Sequence, residues 1–174
     1  MAMKFSFTQQ EISLLERNNL QIKVLNWILD REPPPPETLI CRNKLAIPLP
    51  QAVADRHIAE FRPLLLALRS GFTIIFKNIE SEYNEKLYKI FGYSKCNNIN
   101  IYASINCLSG IGWHSDPYDI LAIQLVGSKI WKFENEPSQL ILNQHEMLLV
   151  QTGELHLTVA LAELSIHATL HLVR

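Results

Sequence analysis

The run Trp113-His114-Ser115-Asp116 sets an imidazole and a carboxylate two residues apart. In an extended segment residues i and i+2 point to one face, so both groups can reach a single ion. A second histidine from elsewhere in the chain would complete a two-histidine, one-carboxylate set. Such a set occupies one face of an octahedral metal and leaves three positions open, which suits Fe(II) and oxygen chemistry. Thiolates offer no competing site, because Cys41, Cys96 and Cys107 form no CxxC pair. Alone, His-x-Asp is unspecific: the same residues fit a surface turn opened by Asp116-Pro117. The other imidazoles are His57, His145, His156, His167 and His171.

Strands must hold such a pair, and the later part of the chain supplies them. Residues 98–104, 120–125, 129–133, 139–142, 147–150, 155–161 and 165–173 read as short strands, and 72–76 as an earlier buried one. Gly127-Ser128 reads as a hairpin turn between two of them. The first third reads helical. Thr8 and Glu11 have capping-box spacing, and Ile12, Leu14, Leu15, Leu20, Val24, Leu25 and Ile28 supply apolar faces. Pro33 to Pro36 end that region as a rigid surface connection, since prolines lack amide donors and hold an extended backbone. A helix is expected over 51–68, kinked or split at Pro63, and a short one over 82–91 before Gly92. The pattern predicts one domain over 1–174, with a helical part at 1–68 and a β-barrel core at 69–174.

With 48% hydrophobic and 19% charged residues, the 174-residue chain can bury a core and is not disordered. A formal net charge of −1 gives no basic surface for nucleic acid. No apolar run of membrane length occurs, and the N-terminal MAMKFSFTQQE lacks a signal-like apolar stretch. An odd cysteine count adds the expectation of free thiols in a reducing compartment. A soluble, cytoplasmic protein with no membrane partner is expected.

The segment GIGWHSDPYDILAIQLVGSKIWKF, residues 110–133, resembles the core motif of JmjC-type ribosomal oxygenases and related cupin-like hydroxylases. The elements shared are the Gly-rich approach, His114-x-Asp116, Asp119, Gln124-Leu125 with Gly127, then Lys129 and Trp131. The resemblance extends over roughly residues 68–173. It implies a double-stranded β-helix (jelly-roll, cupin/JmjC) barrel that binds Fe(II) and takes 2-oxoglutarate and O2 as co-substrates. Motif order makes His156 the third ligand beside His114 and Asp116, since it follows a strand and the Gly153 turn; His167 is the competitor. Lys129 falls at the family's basic clamp for the far carboxylate of 2-oxoglutarate, though a strand lysine is ordinarily solvated. Tyr102 falls where a phenol reaches the same carboxylate, and reads equally as a core aromatic.

Asp119 is a candidate for ordering the loop behind the ligands. Asn98, Asn100, Asn106, Gln124 and Thr158 are candidate pocket linings, and Trp113 is a candidate for the entrance. The implied activity is hydroxylation of a carbon in a peptide or protein side chain, including β-hydroxylation in peptide natural-product maturation. A free amino acid is another candidate substrate. The rivals are a metal-binding cupin with other chemistry and a non-catalytic binding module. Two departures bear on the substrate. Gln151-Thr152-Gly153 stands where the family often has Pro-Gly, and the chain stops at Arg174 without the dimerisation and winged-helix regions of the ribosomal oxygenases.

Overall fold

The computed structural model describes residues 2–6, 8, 20–42, 44–54, 63–79, 92–105 and 111–173. Eleven strands lie among them: β1 Met3–Ser6, β2 Thr38–Arg42, β3 Leu45–Pro48, β4 Thr73–Phe76, β5 Lys95–Ser104, β6 Asp119–Val126, β7 Ser128–Phe133, β8 Leu140–Asn143, β9 Glu146–Val150, β10 His156–Ala160 and β11 Ser165–Val173. The helices are α1 Leu20–Ile28, α2 Leu49–Ala54 and α3 Pro63–Arg69.

A large sheet runs in the order β1-β9-β6-β11-β5-β4-β2-β3, and a small one in the order β10-β7-β8. Their ladders are antiparallel. A single bridge between His114 and His156 adds the His114 segment to the free side of β10. From β5 onward the chain passes repeatedly between the two sheets. This is the jelly-roll wind of a double-stranded β-helix, the mainly-β class with N-terminal helices that the sequence led us to expect.

Alternation explains the layers. Along β6, Leu121, Ile123 and Leu125 join the cluster formed with α1 and α3, while Ile120 and Ala122 join Trp131, Phe133, Leu142, Leu148 and Val150 between the sheets. Period-two side chains give each strand two faces, so one buried strand serves both layers. The helices cover the outer face through Leu20, Val24 and Ile28 of α1, at helical spacing, and Leu64, Ala67 and Leu68 of α3.

Two details differ from the sequence reading. The first third carries β1, β2 and β3 as well as helices. The β2 and β3 runs are only five and four residues long, and β2 owes its place to its ladder with β4, whose partners lie more than 30 residues downstream. Gly127 does not close a hairpin, because β6 pairs with β11 and β9 while β7 pairs with β10 and β8. It turns the corner between sheets at φ +67°, where an added Cβ would lie 2.3 Å from Leu164 O; no side chain fits there. The helix expected over 51–68 is described on its two sides, as α2 up to Ala54 and as α3 from Pro63. The expected continuation of that helix through Ile58 and Phe61, the 82–91 helix, Glu11 of the capping box, Ile12, Leu14, Leu15, His57, Asn106, Cys107 and Gly110 lie outside the described residues. No helix of the described residues is long and apolar enough to cross a membrane.

Candidate metal centre

At one end of the barrel the backbone brings two distant histidines side by side. His114 N donates to His156 O at 3.0 Å, and His156 N donates to His114 O at 2.8 Å. Their ring centroids are 4.3 Å apart. Asp116, two residues on from His114, reaches the same spot, with Oδ2 3.7 Å from His156 Nε2. One ligand atom from each of His114, Asp116 and His156 lies within 4.8 Å of the others.

Both rings are held in the ligating tautomer. His114 Nδ1 lies 3.0 Å from Gly112 O, and His156 Nδ1 lies 2.9 Å from Glu154 O. A carbonyl only accepts, so each Nδ1 carries the hydrogen and each Nε2 keeps its lone pair for a metal. Gly112 makes this approach possible at φ +77°, with the Lys44 side chain 2.9 Å from where a Cβ would stand. Burial pushes the His156 pKa down, against the opposing Glu154 hydrogen bond, which favours the neutral ring that metals bind. Trp131 stacks at 5.4 Å on His156.

The loops that carry the ligands are tied together. Asp119, buried at the start of β6, accepts hydrogen bonds from Tyr93 Oη at 2.7 Å and from Thr152 N and Oγ1, each at 2.8 Å. Gly153 N donates to Asp116 O at 2.9 Å. The turn that replaces Pro-Gly is thus fastened to the His-x-Asp segment from both sides.

Further into the barrel, β7 pairs Phe133 with His156 and Lys129 with Ala160. Lys129 therefore stands roughly 13 Å along the strand from the ligand register, at about 3.3 Å per residue. It is 2% exposed, so the solvated-lysine alternative does not hold. Among the described residues no carboxylate pairs with it; its close polar neighbour is His167 Nδ1 at 2.8 Å. Burial lowers the Lys129 pKa to about 7. A buried cation without a counter-ion is costly, so the barrel is chemically suited to an anion at this depth. Tyr102, directly across from His167 on β5, stacks on its ring at 4.8 Å. Burial raises the Tyr102 pKa to about 12, keeping the phenol a hydrogen donor.

His167 is therefore seated against Lys129 and not in the cluster of His114, Asp116 and His156. His145 sits in the β8–β9 turn at φ +66°. His171 stacks on Tyr118 at 4.2 Å and contacts Asn100 Nδ2 at 3.3 Å. Of the other candidate linings, Gln124 is buried and donates to Val126 O and Ser165 Oγ, while Asn98 bonds Asn78 near the surface. Trp113 is 41% exposed. A cavity of about 550 Å³ lies at the Thr152 turn, lined by Pro117, Tyr118, Asp119, Gln151, Thr152, Leu172 and Val173, and none of His114, Asp116 and His156 lines it.

A sequence profile of the JmjC domain matches residues 75–163, half of the chain, and the span includes His114, Asp116, His156, Lys129 and Tyr102. The chain belongs to the JmjC domain family. Among solved structures, this JmjC chain superimposes over its whole length on the Escherichia coli ribosomal oxygenase YcfD in complex with cobalt and 2-oxoglutarate, with TM-score 0.58 and 14% identity. It spans 48% of that chain. A second YcfD structure, with cobalt and succinic acid, covers 79% of this chain and 39% of its own, at 15% identity and TM-score 0.49. A cupin superfamily protein from Desulfitobacterium hafniense covers 59% of this chain and 78% of its own, at 13% identity and TM-score 0.44. No curated protein matches the sequence.

Proposed function

We propose that this JmjC chain is an Fe(II)- and 2-oxoglutarate-dependent oxygenase that hydroxylates a carbon of a peptide or protein side chain. The observation that carries the reading is a conjunction within one barrel. An open ligand set, His114, Asp116 and His156, stands at the rim, and a buried ammonium without a carboxylate neighbour among the described residues stands deeper in. In this reading the three rim residues hold the metal, and Lys129 with the Tyr102 phenol receives the far carboxylate of the co-substrate. When bound, iron and 2-oxoglutarate would activate O2 as the oxidant for a C–H bond, chemistry that side chains lack, with succinate and CO2 as by-products.

The chain's own work is positional. Asp119 and the Gly153 amide fix the two ligand loops, and Trp131 packs against His156 to keep water from that side. The exposed Trp113, next to His114 in the chain, offers an extended peptide a surface beside the site. The structural relative YcfD is a ribosomal oxygenase, which supports a protein substrate over a small metabolite.

The test is anaerobic loading with Fe(II), then oxygen, with succinate measured with and without 2-oxoglutarate and candidate peptides. The expected result is 2-oxoglutarate-dependent succinate that falls about a hundredfold or more in His114→Ala and Asp116→Ala, together with their metal affinity. Metal binding unchanged by both substitutions sinks the metal assignment. Tight metal binding with no succinate under any condition sinks the co-substrate.

A further inference from the structure

His167 is placed for a task other than ligation. Its Nδ1 lies 2.8 Å from Lys129 Nζ, and both side chains are buried. When Lys129 is protonated, the state an anion beside it favours, its ammonium has hydrogens and no lone pair, so Nδ1 accepts and the ring hydrogen belongs on Nε2. The ring is pinned on two sides: Tyr102 stacks on it with planes 13° apart, and Trp131 meets it edge-on at 5.8 Å. Across the ladders it faces Tyr102 on β5 and Gln124 on β6. Burial, then the charge of Lys129, hold its pKa well below the usual histidine value, so the imidazole is neutral.

A neutral acceptor does what a carboxylate cannot. It takes one of the three ammonium hydrogens and fixes the direction of the group, yet cancels none of its charge. We propose that His167 is a positioning residue for an anionic co-substrate: through Nδ1 it orients the Lys129 ammonium toward the barrel interior with its charge intact, so that the far carboxylate of a dicarboxylic 2-oxo acid is selected over a monocarboxylic one. The inference rests on the co-substrate reading above and adds a residue to it.

The experiment uses protein loaded with Mn(II) and measures calorimetric Kd values for 2-oxoglutarate and for 2-oxobutyrate, which lacks the far carboxylate. Three variants separate positioning from packing. His167→Asn keeps an acceptor near the Nδ1 position, His167→Gln moves it to the Nε2 position, and His167→Asp cancels the charge. The Asn variant should hold 2-oxoglutarate within about threefold of wild type, while Gln weakens it about tenfold, the worth of one hydrogen bond to a charged group. Asp should weaken it most. Affinity for 2-oxobutyrate and for Mn(II) should stay level in all of them.

Equal 2-oxoglutarate affinity in the Asn and Gln variants overturns the role of Nδ1. Parallel losses for both oxo acids overturn it as well, since they mark a packing defect. Wild-type protein that binds Mn(II) but neither oxo acid overturns the co-substrate reading together with this role. Wild-type binding that all three variants retain overturns the role of His167 alone.

Discussion

Along β5 and β11 the two faces of the large sheet are built from the same strands and do opposite things. On β11 the outer face presents Ile166, Ala168, Leu170 and Leu172 to the helical layer, and the inner face presents Ser165, His167, Thr169 and His171 to the barrel. On β5, Ile99, Ile101 and Ala103 face outward while Asn100, Tyr102 and Ser104 alternate with them. Apolar burial of this kind is worth about 25 cal/mol per Å². Buried polar groups contribute little net stability even when paired, and cost when they are not. Several inner atoms are unpaired among the described residues: Ser104 Oγ, Gln124 Oε1 and Trp131 Nε1. The difference teaches that on β5 and β11 the apolar outer face holds the fold together, while the inner face gives up part of that stability to buried polar groups.

The sharpest way to break that contrast is to hollow the outer face. Leu170 is 1% exposed and lies in the cluster shared with the helices. Leu170→Ala should lower the unfolding free energy by about 2–5 kcal/mol, through lost transfer energy and the cavity left behind. Urea denaturation measures this directly. A loss below about 1 kcal/mol would mean that the helical layer is not what the sheet leans on.

The inner face should answer in the opposite direction. Lys129 buries a cation beside a neutral ring, so Lys129→Met, of similar length, should stabilise the metal-free protein by about 1–4 kcal/mol while weakening 2-oxoglutarate binding. The pH dependence carries a sign. The folded pKa is lowered by burial to about 7 from an ordinary 10.5. Between these values the unfolded chain binds a proton that the folded one does not, so stability rises with pH through that window. Below about pH 7 both states are protonated and the full cost of the buried charge is felt. The slope approaches about 1.4 kcal/mol per pH unit at most, and it should vanish in the Met variant. Parallel pH profiles for the two proteins would show that Lys129 does not titrate as a buried cation.

This contrast also measures what the sequence could tell. The strands from residue 95 onward were legible because each is a short run of β-formers bounded by turn residues, and His114 with Asp116 were legible as an i, i+2 pair. The β2–β3 hairpin was not, since its place is set by β4, a partner far along the chain. Gly127 looked like a hairpin because local signals report a turn and not which sheet the next strand joins. Histidine roles were the hardest part. Alternation does put His167 and His171 on one face of β11, a polar stripe of Ser, His, Thr and His that could have been read. Only the cross-strand register sets His167 beside Tyr102 and Lys129 and leaves His156 beside His114.

The rim of the same sheet should respond least. β1 adds to the edge of β9, and there Lys4 Nζ lies 2.7 Å from Glu146 Oε2 and donates to Ile141 O at 2.7 Å. Burial would raise the Glu146 pKa, but hydrogen bonds from Lys4 and the Asn143 amide outweigh it and hold the carboxyl below its usual value. The pair therefore stabilises above the unfolded carboxylate range, and its contribution fades as pH falls through the lowered folded pKa. Both partners are in contact with water, so solvent screens the attraction and Lys4→Ala should cost only about 0–1 kcal/mol at neutral pH. In high salt the cost should shrink further, since exposed charges are screened within about 10 Å at 0.1 M. A loss comparable to that of Leu170→Ala, insensitive to salt, would mean that β1 and not the outer apolar face anchors the sheet. Salt-dependent denaturation of the two variants side by side decides between them.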